Sequence, residues 1–326
     1  MVSLNVAPRS KPWRQPLPSS RCVNTRANTL ANNRATLGFI LSHTTTASPP
    51  NLFIDVAPRR WQPSPTVRIS VGVHAASAAA ALFIPEAWPW ALGMIGANQA
   101  VLARAVLTPR SSALGPNLNQ LPAAAVARDE IALTFDDGPD PEVTPQVLDR
   151  LDTHHAKATF FIVDARAREH PVLVPEIVRR GHAVENHSYL HSFNFPWYGP
   201  RRLARDISMA QVAITEICER APVFFRAPMG FRTPLLDPVL ARLGLHLASW
   251  TRRAFDTVQR DPRIIAARLS RDLGAGDILL MHDGIAMRDR ARLATVDSLD
   301  RVLACIADHN LKPVTLRSAC GYIGTP

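Results

Sequence analysis

A chain of 326 residues has room for one large domain or two modest ones. Its 47% of hydrophobic and 20% of charged residues suffice for a sizeable core, which excludes wholesale disorder. The net charge of +10 is confined to the front: residues 1–66 carry +7, residues 67–128 carry +3 and the remainder is neutral, so nucleic acid is excluded as the main partner.

Residues 1–66 are rich in Pro, Arg, Ser, Asn and Thr without an apolar period, and read as a basic tail with no packed structure. Three origins fit such a segment: a transit-type leader, non-native sequence from an upstream start, or a genuine tail. Residues 67–107 hold two nearly uncharged apolar runs, 69–84 and 87–103, broken by Pro85 and Glu86. Each is close to the ~17–25 residues of a membrane-crossing helix, and Trp88 and Trp90 sit at the junction, as in an interfacial belt. A membrane anchor contacting lipid through residues 69–103 is the leading expectation; an Ala-rich hairpin buried in the protein is the alternative. Residues 108–128 read as a linker. The four cysteines, Cys22, Cys218, Cys305 and Cys320, show no metal-type spacing and read as separate thiols, with a Cys305–Cys320 disulfide as the alternative.

From Asp129 the pattern changes. Short β-rich runs at 131–135, 158–163, 182–185, 223–225, 245–250, 277–281 and 312–316 alternate with helix-like stretches at 145–153, 201–220, 235–243, 262–273 and 292–308. Gly181, Gly244 and Gly276 stand where helix ends or turns belong. This alternation predicts a parallel sheet with covering helices, an α/β domain over 129–320 that fits a small or incomplete barrel. Neither glycine-rich phosphate-binding motif is present, so no nucleotide is expected.

The chemically capable residues cluster just after the strands. Asp136-Asp137-Gly138-Pro139 follows the first, His187 to His191 the third, Arg226 to Gly230 the fourth, and His282-Asp283 the sixth, while Asp256 lies six residues beyond Trp250. In a β/α barrel the loops after the strands share one rim, which carries the active site. Two histidines four apart, placed on one side of a helical turn, together with a carboxylate give a nitrogen, nitrogen, oxygen ligand set with open positions.

Thr134-Phe135-Asp136-Asp137-Gly138-Pro139, His187-Ser188-x-x-His191, Arg226-x-Pro228-x-Gly230 and Leu279-Leu280-x-His282-Asp283 occur in an order that resembles the polysaccharide deacetylases, the NodB-homology domains of carbohydrate esterase family 4. The resemblance spans about residues 129–315. It implies a distorted (β/α)7 barrel and a metal-dependent hydrolase that removes N-acetyl groups from N-acetylglucosamine-containing polysaccharide. It implies that Asp137, His187 and His191 hold a divalent metal, first of all Zn2+, with Co2+, Ni2+ or Mn2+ as alternatives. Asp136 would be the general base, oriented by Arg226. His282 would be the general acid, supported by Asp256, and Met229 (through its backbone N–H) and Leu280 would contact substrate. An N-acetylated glycan polymer is the implied partner and the cell envelope the implied location. Two departures stand out: Met229 replaces the usual aromatic residue of the third motif, and Asp256-Thr257 replaces Asp-Trp in the fourth. A metal-dependent amidase acting on a non-sugar substrate and a catalytically silent carbohydrate-binding relative are the competing readings.

Overall fold

The computed structural model describes residues 57–284 and 291–322, so the expectations for residues 1–56, Cys22 among them, lie outside the described residues. In chain order the elements are α1 (Pro65–Phe83), α2 (Trp88–Val106), α3 (Ala123–Val126), β1 (Glu130–Asp136), α4 (Val143–Thr153), β2 (Ala158–Ile162), α5 (Asp164–Glu169), α6 (Leu173–Arg179), β3 (Ala183–Asn186), α7 (Pro200–Cys218), β4 (Phe224–Phe225), α8 (Leu236–Arg242), β5 (His246–Leu247), β6 (Arg252–Arg253), α9 (Pro262–Ser270), β7 (Ile278–His282), α10 (Ala291–Asp308), β8 (Lys312–Pro313) and α11 (Leu316–Ala319).

The strands are all parallel and run in the order β5-β4-β3-β2-β1-β7-β6, with β8 added to the first two residues of β1. Every residue of β1 is buried, as expected for a central parallel strand covered on both faces. Strand periodicity divides its side chains. Ile131, Leu133 and Phe135 join Val147, Leu148, Leu151, Leu299 and Val302 in the core beneath the helices. Ala132 joins Phe161, Phe224, Trp250, Ile278 and Leu280 in the second core, inside the curve of the sheet. The same alternation makes Thr134 and Asp136 the next inward positions of β1, and His282 follows Leu280 on β7. Registry pairs Asp136 with His282, so two polar groups meet at the C-terminal end of the innermost strands.

The (β/α)7 expectation holds as a parallel half-barrel, open between β5 and β6. The region read as a linker is built into it. Leu118 lies beside Ala248, its N–H donating to Leu247 O and its carbonyl accepting from Ser249 N (2.9 and 2.8 Å), while Leu114, Leu121 and Ala125 are buried. The run expected over 245–250 is confined to His246–Leu247; Ala248 N still donates to Phe225 O (2.9 Å), while Leu247 O and Ser249 N pair with Leu118. The basic tail is likewise packed at its end: Arg59 forms an ion pair with Asp237 (2.7 Å), and Trp61 Nε1 donates to the same carboxylate (3.0 Å). Cys218, Cys305 and Cys320 are free thiols.

The apolar runs form the hairpin α1–α2, and it is not buried in the barrel. Polar groups lie between the helices: His74 Nδ1 donates to Ser70 O (2.7 Å), Asn98 Nδ2 donates to Ser70 Oγ (2.9 Å) and Gln99 Nε2 meets His74 Nε2 (3.2 Å). Apolar side chains point outward, among them Ile69, Phe83, Trp90, Leu92 and Val101, all more than half exposed. By length and composition α1 is apolar enough to cross a membrane.

One buried ion pair anchors the far end of the barrel. Glu185 accepts from Val223 N (2.7 Å), Phe224 N (2.8 Å) and Arg317 Nε (2.5 Å), and all of its surface is buried. Glu185→Ala would leave a buried guanidinium and two amides unpaired, a loss of about 3–5 kcal/mol. Urea denaturation of the purified variant measures it; a midpoint equal to wild type would show that the pair contributes nothing.

Candidate active site

The rim begins where β1 ends. Asp136, almost fully buried, receives Arg226 Nη1 at 2.6 Å. Arg226 is fixed on every side: Nη1 also donates to Thr134 Oγ1 (2.8 Å), Nη2 to Ser249 O (2.8 Å) and Nε to Ala248 O (3.3 Å), and the guanidinium lies 4.0 Å from the centre of the Phe161 ring. A buried cation with this many partners orients the carboxylate beside it. Asp137 follows with φ 71°, a left-handed conformation that aspartate tolerates, and this turn sends its side chain toward the loop after β3.

That loop delivers His187 and His191, but not from a helical turn. Residues 187–191 contain left-handed Ser188 (φ 75°) and His191 (φ 50°), and Ser188 Oγ accepts from His191 N (3.0 Å). The side-chain bond supplies what a helical repeat would have supplied, leaving the ring centres 4.9 Å apart. His187 Nε2 and His191 Nε2 lie 3.3 and 3.2 Å from Asp137 Oδ1.

These three groups fit a cation. His187 Nδ1 lies 2.9 Å from Arg226 O, which can only accept, so Nδ1 carries the proton and Nε2 presents a lone pair. Asp137 Oδ1 is buried without a hydrogen-bond partner. Burial above all pushes the His191 ring down to about 4, so it is neutral near pH 7. Burial opposes charge on Asp137 as well, but the surrounding rings, the protonated His282 among them, hold the carboxyl below the usual carboxylate range. Two imidazoles and one carboxylate thus converge on one point, and ligand atoms of the three residues all lie within 4.8 Å of one another.

On the other side of Asp136, His282 Nδ1 lies 2.7 Å from Asp256 Oδ1, while Asp256 Oδ2 accepts from His282 N and Thr295 Oγ1, both at 2.8 Å. Burial works against protonation of His282, but the charge and hydrogen bond of Asp256, with Asp137 and Asp136 beyond, raise it to about 9. A cation held by Asp137 lowers this again. The ring is a proton donor fixed by its carboxylate.

A cavity of about 280 Å³ opens over these groups, lined by Asp136, Asp137, His187, His191, His282, Met229 and Leu280. Every residue singled out from the sequence therefore reaches the cavity or orients one that does: Arg226 through Asp136, and Asp256 through His282. The sequence reading missed others. Trp250 lines the cavity, as do Arg166, Arg253, Leu190 and Phe193. Arg166, on the unforeseen helix α5, donates Nη1 to Asp137 O (2.8 Å). Asp283 is fully buried, accepts from Thr144 Oγ1 (2.6 Å), and is pushed up to about 7, first by burial and then by the nearby Asp137 charge. A Cβ on Gly138 would sit 2.4 Å from both Asp283 carboxylate oxygens, so only glycine lets this loop close over Asp283. Of the pair His282-Asp283, His282 faces the cavity, as the resemblance implies, while the role of Asp283 beneath the loop left no sequence signal.

Comparison with known proteins agrees with the geometry. The family profile described as polysaccharide deacetylase matches residues 123–248. A chitooligosaccharide deacetylase of Sinorhizobium fredii is 33% identical over 198 residues, covering 59% of this chain and 92% of its own. A peptidoglycan-N-acetylglucosamine deacetylase of Bacillus cereus is 32% identical, covering 59% and 88%. Among solved structures, a family 4 carbohydrate esterase from Streptomyces lividans in complex with acetate superposes with a TM-score of 0.51 at 32% identity, covering 56% of this chain and 90% of that one. A peptidoglycan N-acetylglucosamine deacetylase crystallised with a naphthyl N-hydroxybenzamide gives a TM-score of 0.59 at 26% identity, covering 63% and 92%.

Proposed function

We propose that the chain, which belongs to the polysaccharide deacetylase family, removes N-acetyl groups from N-acetylglucosamine-containing polymers of the cell envelope while anchored in a membrane. It is a hydrolase of carbon–nitrogen bonds other than peptide bonds, and the observation that carries the reading is the Asp137, His187 and His191 cluster beside Asp136 and His282. Zinc suits two imidazoles and a carboxylate best. A divalent ion in such a site supplies Lewis-acid polarisation of the carbonyl and acidification of water.

The protein's own groups do the rest. Asp136, paired with and aimed by Arg226 at 2.6 Å, removes a proton from the attacking water as oxygen bonds to the acetyl carbon. The developing oxyanion meets the backbone N–H of Met229, which lines the cavity in a left-handed turn (φ 58°). His282 then gives its proton to the departing amine as the carbon–nitrogen bond breaks, leaving acetate and the free amino sugar. Leu280 and Trp250 wall the space for the acetyl methyl. Because Trp250 enters from beyond β5, it supplies the aromatic surface that Thr257 lacks. The outward apolar faces of α1–α2, with Glu86 the only Asp, Glu, Lys or Arg between Arg68 and Arg104, support the anchor.

His282→Ala is expected to lower kcat by ~10²–10⁴-fold with metal content unchanged, since general acid catalysis is worth that much. His282 is protonated below its raised value of about 9, so the rate falls as pH rises through a basic limb at or below that value, and the variant loses the limb. Asp256→Asn keeps the ring in place and loses less. Acetate release from a panel of N-acetylated oligosaccharides measures both; near-normal rates for His282→Ala would overturn the acid assignment.

A further inference from the structure

The hairpin runs directly into the wall of the catalytic cavity. Pro109, three residues beyond α2, packs on the loop after β4: a Cβ on Gly230 would lie 2.9 Å from Pro109 Cβ and 2.6 Å from Trp250 Cη2. Gly230 and Trp250 both line the cavity. Arg110 Nη1 donates to Thr251 O (2.8 Å) and Arg232 Nη1 to Ser111 O (3.2 Å), so the base of the hairpin is bound to the rim at more than one point. At 19 residues each, α1 and α2 reach about 28 Å from that base, the thickness of a bilayer's hydrocarbon core.

The same rim exposes large apolar side chains. Phe193 and Trp197, on the loop after β3, are 76% and 87% exposed; Phe255 and Val258, on the loop after β6, are 45% and 66% exposed. Phe193 and Thr257 line the cavity, so both loops that carry these groups reach it. Exposed apolar side chains on two rim loops, beside a hairpin that is apolar on its outside and tied to the same rim, mark a contact surface. Arg253 lines the cavity within it, with Trp250 and Phe255 rings 5.7 and 4.9 Å from its guanidinium. Among the described residues it has no ion-pair partner, and its buried Nε makes no hydrogen bond.

We propose that the mouth of the active site rests on the bilayer beside the hairpin, and that the glycan it deacetylates there is still joined through a phosphate to a membrane lipid. The rim side chains enter the interface, the sugar rises into the cavity with its N-acetyl group on the Asp137, His187 and His191 cluster, and the unpaired Arg253 receives the phosphate at headgroup level. This rests on reading α1–α2 as a membrane anchor.

The test uses the full-length protein with vesicles of phosphatidylethanolamine and phosphatidylglycerol. Two substrates are compared by acetate release: N-acetylglucosamine joined by phosphate to a polyisoprenol in the vesicles, and a soluble N-acetylchitooligosaccharide. The protein is expected to pellet with the vesicles and to work on the lipid-borne sugar at least about tenfold faster at equal bulk concentration. The variant Trp197→Ser/Val258→Ser, altered only outside the cavity, is expected to pellet still and to keep its rate on the soluble substrate. It loses about tenfold on the lipid-borne one, the effect of withdrawing apolar groups from the interface. Arg253→Gln raises KM for the phosphate-linked substrate more than for the oligosaccharide. Protein left in the supernatant overturns the anchor and the proposal together. Pelleted protein with equal rates on both substrates, or a rim variant that keeps its lipid-borne rate, overturns the proposal and leaves the anchor standing. Equal KM rises for Arg253→Gln overturn the phosphate assignment.

Discussion

The variant His187→Ala/His191→Ala is expected to retain no stoichiometric zinc and to lose at least ~10³-fold in kcat/KM. The polarisation supplied by a divalent ion is worth several kcal/mol, and each 1.4 kcal/mol is about a factor of ten. The two substitutions differ in what else they remove. His187 also donates Nδ1 to Arg226 O at 2.9 Å, so its loss loosens the group that aims Asp136. His191 has no such second task, its Nδ1 making no hydrogen bond among the described residues, so His191→Ala alone isolates the ligand effect. Metal analysis and steady-state kinetics on the two single variants and the double variant measure this. Zinc held at one equivalent by the double variant would remove Asp137, His187 and His191 from the account.

Asp136→Asn is expected to cost ~10²–10⁴-fold in kcat, with zinc still bound. The amide keeps the shape of the carboxylate and its oxygen still accepts from Arg226, so the loop remains in place. What disappears is the capacity to take a proton, together with the negative charge that offsets a completely buried guanidinium. A stability loss accompanies the kinetic one, because one partner of a buried charged pair has been neutralised. The two effects separate by experiment: assaying well below the variant's melting temperature leaves only the kinetic loss. A variant working within tenfold of wild type would show that another group activates the water.

Much of the site was legible because each polar cluster directly follows a hydrophobic run. Asp136, His187, Arg226 and His282 sit where buried strands β1, β3, β4 and β7 end, and parallel strands put such ends on one rim. Other parts left no sequence signal. Helix α5 is a six-residue stretch, Asp164–Glu169, without an apolar period, so Arg166 could not be placed. Strand β6 is two arginines, which no β-pattern marks. Leu118 joins Ala248 across 130 residues of chain, a contact set by the opening between β5 and β6 rather than by local propensity. Trp250, three residues beyond β5, lines the cavity, a position that its distance from the fourth motif concealed. The i, i+4 histidine spacing predicted the right neighbours for the wrong reason, since Ser188 and His191 reach it through left-handed backbone instead of a helical turn.

The central claim is that these residues hold a divalent ion and use it to hydrolyse an N-acetyl group. Acetate release from a soluble N-acetylchitooligosaccharide is to be followed with the full-length protein as purified, after removal of metal by a chelator, and after zinc is restored. The account predicts loss of acetate release on chelation, full recovery with one equivalent of zinc, and no recovery in His187→Ala/His191→Ala. Acetate release that continues undiminished after verified metal removal would contradict it.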